Sequence, residues 1–412
     1  MQSLLILGRQ PALGLAELES LYGSDKLRLA GAKAVVVDVD PCLLAFDRLG
    51  GSVKFCKILT TLETTDWREI EKFLTQASPQ QSLNMPDGKM TLGISEIGFG
   101  VNLKQLQRTG LEIKKSIRAS GRSVRLVPNK SSELNAAQVI HNKLTATNGW
   151  ELVMIRDRRQ TIIAQTVKVQ DIESYAERDQ SRPMRDPKVG MLPPKLAQII
   201  INLAVGKIPV KKLQSICDVP LEEHVPRPQM NQTILDPFCG TGVLLQEALL
   251  MGYDIIGSDI EERMVDYTKT NLAWLGDLYN LQLDELTLNV GDARSTQWPI
   301  KPDFIACEAY LGRPFSTLPD KKILQENIAA CDQIIKNFLI NIKPQISSGT
   351  KLCLAVPAWQ TGRNKFIDLP LIDSLSNMGY NRQRFEHAKN EDLIYYRSDQ
   401  IVGRRLIIIT KS

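Results

Sequence analysis

Histidine is scarce in this sequence of 412 residues, and its cysteines are never closely paired. There are three histidines and seven cysteines, without a Cys-x-x-Cys pair: His141, His224, His387, Cys42, Cys56, Cys217, Cys239, Cys307, Cys331 and Cys353. Their spacing matches no zinc site. An odd number of scattered cysteines indicates reduced thiols, so we expect a cytoplasmic protein without a metal ion. His141 lies among apolar residues at helical spacing, and we expect it to be packed or half-buried rather than a ligand.

Long hydrophobic runs are also missing. No apolar stretch approaches the roughly 18–20 residues that a helix needs to cross a bilayer. The opening residues, MQSLLILGRQPALG, contain only a short apolar run before a charge and a proline. A buried first strand explains this run better than a secretory signal. We therefore expect no membrane as a partner.

The composition is otherwise that of a folded chain with more than one domain. Hydrophobic residues make up 43% and charged residues 24% of the chain, and the net charge is +5. These values are ordinary for globular proteins, so long disordered segments are not expected. A chain of this length is too long for a single core. The small positive excess becomes informative through its distribution along the chain.

The first 60 residues predict a small α+β module with an antiparallel sheet. A helix is predicted over residues 12–22, where Gly23 ends it, and a second over residues 42–50, where two glycines would stop it. The polar stretch 76–89 contains two prolines and is predicted to be a loop. After it, a strand is followed by helix, strand, helix and two further strands, the second helix covering residues 132–147.

A basic helix is predicted over residues 102–120 and ends at Gly121. One face is apolar, and five cations form a narrow stripe on the opposite face: Lys104, Arg108, Lys115, Arg118 and Arg122. Across residues 101–130 only one acid, Glu112, accompanies the cations, so neighbouring charges would repel. A solvated helix face is the ordinary explanation of such a stripe. A phosphate backbone would neutralise it, however, and the pattern favours contact with nucleic acid.

The second half of the chain predicts a parallel, doubly wound sheet. A charged segment leads from residue 171 to a helix with Pro194 in its first turn. Strands and helices then alternate from residue 233 onwards. The end differs, because EDLIYYRSD and IVGRRLIIIT predict two antiparallel strands joined by a tight turn and added to the sheet.

A glycine-rich turn follows the strand ILDP, in the sequence FCGTG, and leads into a helix. Gly240 and Gly242 would let backbone amides approach a ligand closely at the helix N-terminus. Acids also end three strands. Asp236 ends the strand before the turn, Asp259 would suit paired ribose hydroxyls, and Asp292 is placed where an adenine amino group could bind. The third glycine of the dinucleotide fingerprint is missing, which argues against NAD. The alternative is a strand–turn–helix that binds nothing.

The motif D-P-F-C-G-T-G with the downstream Asp259 and Asp292 resembles the class I methyltransferase family. The resemblance implies a Rossmann-like sheet and S-adenosylmethionine as the cofactor, with Asp236 and its neighbouring turn holding the methionine part. The cofactor-binding residues that it implies are Asp236, Phe238, Gly240, Gly242, Asp259, Ile260, Asp292 and Ala293.

The stretch DPFCGTGVLLQEALLMGYDIIGSDIEERMVDYTKTNL is further similar to the THUMP-containing tRNA guanosine-N2 methyltransferases. SRPMRDPKVGMLPPKLAQIIINLA resembles the segment that leads into the catalytic domain of that family. The resemblance implies tRNA as the partner, gripped at its acceptor end; the sequence does not demand a small activator subunit. It also implies four ranges: a ferredoxin-like module 1–60, a THUMP-like RNA-binding domain 61–170, a linker 171–190 and a Rossmann-like methyltransferase domain 191–412.

The fourth strand departs from this family. Enzymes that methylate amino groups usually carry D/N-P-P-Y/F there. The reason is that an exocyclic amine conjugated with its ring is a poor nucleophile, so an acid and a carbonyl accept its hydrogens while an aromatic ring stacks the flipped base. Here the sequence is EAYLG. Glu308 keeps a carboxylate that is one methylene longer, Tyr310 keeps an aromatic ring one position earlier, and both prolines are gone.

Three hypotheses remain for this loop. In the first, Glu308 accepts a hydrogen bond from the amine or acts as a general base, and Tyr310 stacks the base. In the second, the site is retuned for another nucleophile; in the third, the loop has lost the transfer reaction. An acid at a strand's carboxyl end is rarely purely structural, which favours the first two. Together with the resemblance to the tRNA guanosine-N2 methyltransferases, this implies methyl transfer from S-adenosylmethionine to the exocyclic N2 of a tRNA guanosine by direct in-line attack. The alternatives are transfer to another RNA or DNA base and a non-catalytic tRNA-binding protein.

Overall fold

The computed structural model describes residues 3–186, 192–209 and 230–412, apart from residues 282, 284–285, 316, 363 and 398. The chain divides into two compact units. The first unit consists of Met1–Pro11, Asp25–Asp47 and Ser52–Glu173. The second consists of Ala12–Ser24, Arg48–Gly51 and Ser174–Ser412. Each unit is therefore assembled from segments that are not contiguous in the sequence.

The first unit is built on one sheet of eight strands. These are β1 (Ser3–Leu7), β2 (Leu27–Ala30), β3 (Ala34–Val37), β4 (Ser52–Leu62), β5 (Met90–Ile97), β6 (Val124–Leu126), β7 (Gly149–Asp157) and β8 (Gln160–Val169). They lie in the order β2-β3-β1-β4-β8-β7-β5-β6, and the pairs are antiparallel except that β5 is parallel to β6 and β7. Because β4 pairs with β1 on one side and β8 on the other, the predicted antiparallel sheet of residues 1–60 continues into the strands that follow.

Helix α3 (Leu103–Ala119) confirms the predicted basic helix. It begins after Asn102, whose side chain accepts a hydrogen bond from a first-turn amide at 2.8 Å. It ends before Gly121, whose φ of +91° few other residues adopt. Its apolar face packs into one core cluster with residues of β5 and β7, through Leu106, Ile113 and Ile117.

Helix α2 (Trp67–Leu83) covers residues 76–83, so the prediction of a loop over residues 76–89 is wrong there and is confirmed only over residues 84–89. The buried face of this helix includes serines, which hide its helical period: Ile70, Leu74, Ser78 and Ser82. Pro79 lies inside the helix and has no amide to donate to the carbonyl of Thr75. That carbonyl instead accepts a hydrogen bond from the Ser116 hydroxyl at 2.6 Å, so a side chain of α3 replaces the missing backbone bond.

The predicted helix over residues 42–50 is also wrong. The chain forms two short 3-10 turns there, Pro41–Leu43 and Phe46–Arg48. The Leu44 amide donates to the Pro41 carbonyl, three residues back, at 3.2 Å. Bonds of this spacing are rarely sustained beyond a turn, so no α-helix develops.

The expected burial of His141 is wrong as well. The helix predicted over residues 132–147 is the shorter α4 (Ala136–His141), which begins with a capping box formed by Asn135 and Gln138. Val139 is its buried residue, whereas His141 is exposed at the last position of the helix. Val139 faces the core, and the histidine, two positions further along the helix, falls on its outer side.

The second unit contains a sheet of nine strands among the described residues. These are β9 (Thr233–Asp236), β10 (Asp254–Asp259), β11 (Thr287–Val290), β12 (Phe304–Glu308), β13 (Lys351–Gly362), β14 (Lys365–Ile367), β15 (Tyr380–Arg382), β16 (Ile394–Tyr395) and β17 (Val402–Lys411). The main order is β11-β10-β9-β12-β13-β17-β15. The first five strands are parallel, and β17 runs antiparallel between β13 and β15. The predicted doubly wound sheet is confirmed, as is the terminal antiparallel pair of β16 and β17.

The helices of the second unit come from both ends of the chain. They are α1 (Pro11–Tyr22), α5 (Ile172–Gln180), α6 (Pro194–Val205), α7 (Val243–Leu250), α8 (Glu262–Tyr279), α9 (Lys321–Ile342) and α10 (Leu371–Ser374). Proline at the first position of α6 confirms the predicted start of that helix. Buried Glu17 of α1 accepts hydrogen bonds from the amides of Gly50 and Gly51 and from the side chain of Asn202 on α6. Of the predicted linker, residues 172–180 are helical and residues 187–190 lie outside the described residues.

Five of the cysteines are buried free thiols: Cys56, Cys239, Cys307, Cys331 and Cys353. Cys217, His224 and the side chain of Cys42 lie outside what the structure describes. Among the described residues, no helix is both long and apolar enough to span a membrane. Within the same part of the chain, no group of three or more histidine, cysteine or acidic side chains could hold a metal ion.

Candidate functional site

The glycine-rich turn joins β9 to α7 at the carboxyl edge of the parallel sheet. Gly240 and Gly242 have φ values of +51° and +84°, a region that favours glycine. A Cβ atom on Gly242 would lie 2.9 Å from the side chain of Thr268 on α8. The Thr268 hydroxyl donates to the Gly240 carbonyl at 2.8 Å, so α8 holds the turn closed. Backbone conformation and close packing together explain glycine at position 242.

Asp259 fixes the other side of this turn from the end of β10. One of its carboxylate oxygens accepts a hydrogen bond from the Gly240 amide at 2.9 Å, and the other accepts from the Glu261 amide at 3.0 Å. The Cys239 amide also donates to the Ser258 carbonyl at 2.9 Å. Burial raises the pKa of Asp259. The predicted ribose-binding acid therefore also shapes the turn, and it keeps further lone pairs for a ligand.

Two more acids stand at the ends of neighbouring parallel strands. Asp236 ends β9 and is only 3% exposed, and its carboxylate accepts a hydrogen bond from the Phe238 amide at 3.1 Å. Glu308 ends β12, which pairs directly with β9. Burial, with the negative charges of Asp259 and Glu308, raises the pKa of Asp236 well above its usual value. This edge of the sheet is therefore suited to a ligand that carries positive charge.

Glu308 has a partner that the sequence analysis misses. Arg404 of β17 is 5% exposed and donates from Nε to Oε1 of Glu308 at 2.6 Å. The neighbouring Arg405 pairs with Asp368 at 2.9 Å. The sequence does contain a signal for this ion pair, namely the two arginines inside the apolar run IVGRRLIIIT. Cations that are buried in a strand require anionic partners.

The loop after Glu308 is anchored at its far end and exposed in its middle. The Ala309 amide bonds to the Ala355 carbonyl at 3.0 Å, which keeps the loop's first residue in line with the sheet. Gly312 has a φ of +84°, and the following amide donates to the side chain of Asn327 on α9 at 3.0 Å. Tyr310, between these anchors, is 42% exposed. Its ring is therefore accessible to a ligand, whereas Asn327 is a second supporting residue that sequence reasoning misses.

The remaining predicted cofactor residues divide into accessible and buried groups. Asp292 accepts hydrogen bonds from Arg294, whose Nε lies 2.9 Å from both carboxylate oxygens, and this arginine lowers the pKa of Asp292. Ala293 is buried, and Ile260 is 62% exposed beside Asp259. Phe238 is half-buried against Phe338 of α9, with ring centroids 5.4 Å apart. The structure thus gathers Asp236, the two glycines, Asp259 and Glu308, while Asp292 forms its own ion pair.

The basic stripe lies on α3 in the first unit. Lys104, Arg108, Lys115 and Arg118 are exposed. Two of them have acidic neighbours: Arg108 lies 3.4 Å from Glu71, and Lys115 lies 2.7 Å from Glu112. Glu71 could not be expected from the sequence, because this residue reaches the stripe from α2, and no helix is predicted there.

Arg122 is different from the other four cations. Its guanidinium donates to three backbone carbonyls around the end of α2, those of Ser82, Met85 and Pro86. It is partly buried there, and these bonds link it to the last turn of α2, through Ser82, and to the chain just beyond the helix. Arg122 therefore holds the end of α2, and it has little capacity left for a phosphate.

Comparison with known proteins shows similarity to methyltransferases. A family model described as DNA methylase matches residues 147–270. The tRNA (guanine(10)-N2)-dimethyltransferase of Methanothermobacter thermautotrophicus is 29% identical over 220 residues, which cover 52% of this chain and 53% of that protein. The enzyme of the same name from Pyrococcus abyssi is 30% identical over 127 residues, which cover 31% of this chain and 26% of that protein. The chain thus spans about half the length of the first relative and less of the second.

Solved structures match over nearly the whole chain at low identity. TrmN from Thermus thermophilus is 14% identical, with a TM-score of 0.51 and coverage of 100% of both chains. A possible methylase from Clostridium difficile 630 is 12% identical, with a TM-score of 0.51, and covers 98% of this chain and 97% of that one. Likeness at this level of identity concerns the fold. The chain therefore combines a mixed α/β architecture with the Rossmann-like sheet of the methyltransferases.

Proposed function

We propose that this protein is an S-adenosylmethionine-dependent tRNA methyltransferase that acts on the exocyclic N2 of a guanosine. The observation that carries the proposal is the meeting of Asp236, Asp259 and Glu308 around a glycine turn at the carboxyl edge of a parallel sheet. Ligands of open α/β sheets bind at this edge. The names of the two archaeal relatives support the reaction and the substrate.

The residues at this edge fit the cofactor in charge and in space. S-adenosylmethionine supplies a methyl group on a positively charged sulfur and also carries an ammonium group. Asp236 and its acidic neighbours provide the matching negative charge. A Cβ atom on Gly240 would have only the Phe238 carbonyl oxygen, 4.0 Å away, near it, so the turn leaves open space at this position. Asp259 keeps lone pairs for ribose hydroxyls, and Asp292 and Ala293 are proposed at the adenine.

Glu308 and Tyr310 are the residues that we assign to the substrate. The Arg404 bond occupies Oε1 of Glu308, which leaves Oε2 to accept a hydrogen bond from the guanosine amine. That bond orients the nitrogen lone pair, and the exposed ring of Tyr310 stacks the base. Bound S-adenosylmethionine would supply the methyl group to this nitrogen, and the electron pair of the broken sulfur–carbon bond would stay on the departing sulfur. The proton lost from nitrogen passes towards Glu308 and solvent.

Cofactor binding should weaken as the pH falls. In the free protein the pKa of Asp236 is raised by burial and by Asp259 and Glu308. A cationic ligand favours the ionised carboxylate, so binding should release protons, and affinity should be lost when the pH drops below the pKa of Asp236 in the free protein. Calorimetric titration with S-adenosylmethionine over a series of pH values measures this slope.

The variant Asp236→Asn is the control for this pH dependence. It keeps an oxygen for the Phe238 amide but cannot ionise, so affinity should fall and most of the slope should disappear. Asp259, whose pKa is also raised by burial, accounts for what remains. An unchanged slope in Asp236→Asn would remove this carboxylate from cofactor binding.

Methyl transfer should depend on Glu308. Glu308→Gln retains an oxygen for Arg404 but loses the negative charge, and we expect transfer to fall by at least about 100-fold. Cofactor affinity should stay essentially unchanged. The measurement is tritium transfer from labelled cofactor into bulk tRNA, with Asp303→Asn, just before the same strand, as a matched control that remains active. Running the assay with and without cell extract would reveal a need for a small activator subunit.

Two results of that assay would count against the proposal. If the wild-type chain binds the cofactor but transfers no tritium into tRNA even with extract, the assignment as a tRNA methyltransferase fails. If Glu308→Gln transfers at the wild-type rate, Glu308 has no part in the reaction.

We further propose that the exposed cations of α3 bind the phosphates of tRNA: Lys104, Arg108, Lys115 and Arg118. Arg122 is left out because its guanidinium holds the end of α2. The four ranges 1–60, 61–170, 171–190 and 191–412 remain our proposal for the ferredoxin-like, THUMP-like, linker and methyltransferase parts. In this scheme the first unit captures tRNA by charge, and the second performs the transfer.

Reversing a charge on α3 should weaken tRNA binding. For Arg118→Glu we expect about a tenfold loss of tRNA affinity and a salt slope that is smaller by about 1. Filter binding over a series of salt concentrations measures both. Lys57→Glu, an exposed cation on β4 of the same unit, is the matched control. Equal losses in the two variants would show a general charge effect and would refute a specific surface on α3.

A second candidate substrate is an amino group of a DNA base. The family model matching residues 147–270 is described as DNA methylase, and the same site chemistry serves any exocyclic amine. Duplex DNA in the tritium assay decides between the two. Incorporation into DNA at a rate equal to that into tRNA would overturn the tRNA assignment.

A further inference from the structure

Arg182 is a buried cation without a hydrogen-bond partner. Its side chain is 3% exposed, and neither Nε, Nη1 nor Nη2 makes a hydrogen bond. A guanidinium has five N–H donors, and burying them unpaired is strongly unfavourable. Burial lowers the pKa of Arg182 accordingly. An unpaired buried guanidinium is expected where a ligand supplies the missing hydrogen-bond acceptors.

The nearest comparable arginine shows what Arg182 lacks. Arg178, one turn earlier in the chain, is also buried, but its Nε lies 2.7 Å from a carboxylate oxygen of Glu247 on α7. The charged neighbours of Arg182 are Asp179, which raises its pKa, and Arg185, which lowers it. Among the described residues, Asp179 does not come close enough to form an ion pair with Arg182. The surroundings therefore leave the positive charge of Arg182 uncompensated.

The segment that carries Arg182 is fastened to the glycine turn of the proposed cofactor site. Asn271 of α8 accepts a hydrogen bond from the Met184 amide and donates to the Met184 carbonyl, both at 2.9 Å. The same side-chain amide donates to the carbonyl of Thr241 at 2.8 Å. Thr241 stands between Gly240 and Gly242. One asparagine thus ties the backbone two residues after Arg182 to the centre of the turn.

The charge pattern of the site identifies the missing ligand group. The strand ends supply Asp236, Asp259 and Glu308, which suit the cofactor's ammonium, ribose hydroxyls and positive sulfur. The methionine end of the cofactor also carries a carboxylate, for which these acids are the wrong partner. A carboxylate matches the planar guanidinium of an arginine, which can donate two parallel hydrogen bonds.

We propose that Arg182 binds the carboxylate of the methionine end of S-adenosylmethionine. The inference rests on the proposed function, since it assumes that the cofactor occupies the glycine turn. In the loaded protein the carboxylate accepts hydrogen bonds from Arg182 and neutralises its charge. The acids at the strand ends would then attract the ammonium group of the methionine end, and Arg182 would bind its carboxylate.

The test compares two ligands that differ only in this carboxylate, S-adenosylmethionine and its decarboxylated form, by calorimetric titration. Arg182→Met should lower the affinity for S-adenosylmethionine by about 10- to 100-fold. It should leave the affinity for the decarboxylated ligand unchanged. Arg182→Lys keeps the positive charge but cannot donate two parallel hydrogen bonds. Its affinity for S-adenosylmethionine should therefore lie between those of Arg182→Met and the wild type. Arg185→Met, an exposed arginine three residues along, should behave as the wild type with both ligands.

Thermal unfolding supplies a readout that does not depend on affinity. Without ligand, Arg182→Met should melt no lower than the wild type, because it removes an unpaired buried charge, but it should gain less than the wild type from added S-adenosylmethionine. Equal losses for both ligands in Arg182→Met, or no loss for either, would overturn the inference. If the wild type binds neither ligand, the proposed function itself fails, which is a different result.

Discussion

The buried carboxylate of Asp236, held beside Asp259 and Glu308, is the constraint on which the rest of the site depends. Three acids at adjoining strand ends repel one another, and burial makes the charge of Asp236 still less favourable. The surroundings offset part of this: amides of the glycine turn bond to Asp236 and Asp259, and Arg404 pairs with Glu308. The repulsion that remains can be relieved by a cationic ligand. The clustered acids that are unfavourable in the free protein therefore favour binding of such a ligand.

The altered loop EAYLG gains a physical explanation from its partners. A glutamate in place of the usual aspartate or asparagine reaches one methylene further, and here its carboxylate meets Arg404 on the antiparallel strand β17. Arg404 fixes one oxygen of Glu308, Asn327 fixes the amide after Gly312, and Tyr310 remains exposed between them. Side-chain contacts thus provide the rigidity that the two missing prolines would give. These contacts hold both ends of the loop and leave Tyr310 accessible, which favours the hypotheses that give the loop a role over the hypothesis that it has decayed.

The sequence is informative where one local pattern decides the structure. Helix α3, the start of α6 at Pro194 and the glycine turn all follow from spacing and caps within a few residues. The sequence fails where distant residues decide. In helix α2, the Thr75 carbonyl, which Pro79 leaves without a backbone donor, is satisfied by Ser116 of another helix. Arg404, the partner of Glu308, lies 96 residues away, and Ser82, a partner of Arg122, lies 40 residues away. Arg182 has no local signal at all, because only burial reveals that its charge is unpaired.

The central claim is that this carboxyl-edge site transfers a methyl group to a guanosine amine in tRNA. The most direct measurement is mass-spectrometric nucleoside analysis of tRNA incubated with the chain and with cofactor whose methyl group carries deuterium. We expect deuterium in N2-methylated guanosine, as the mono- or dimethyl form, and in no other nucleoside. Deuterium in a different nucleoside, or none in a protein that binds the cofactor, would contradict it.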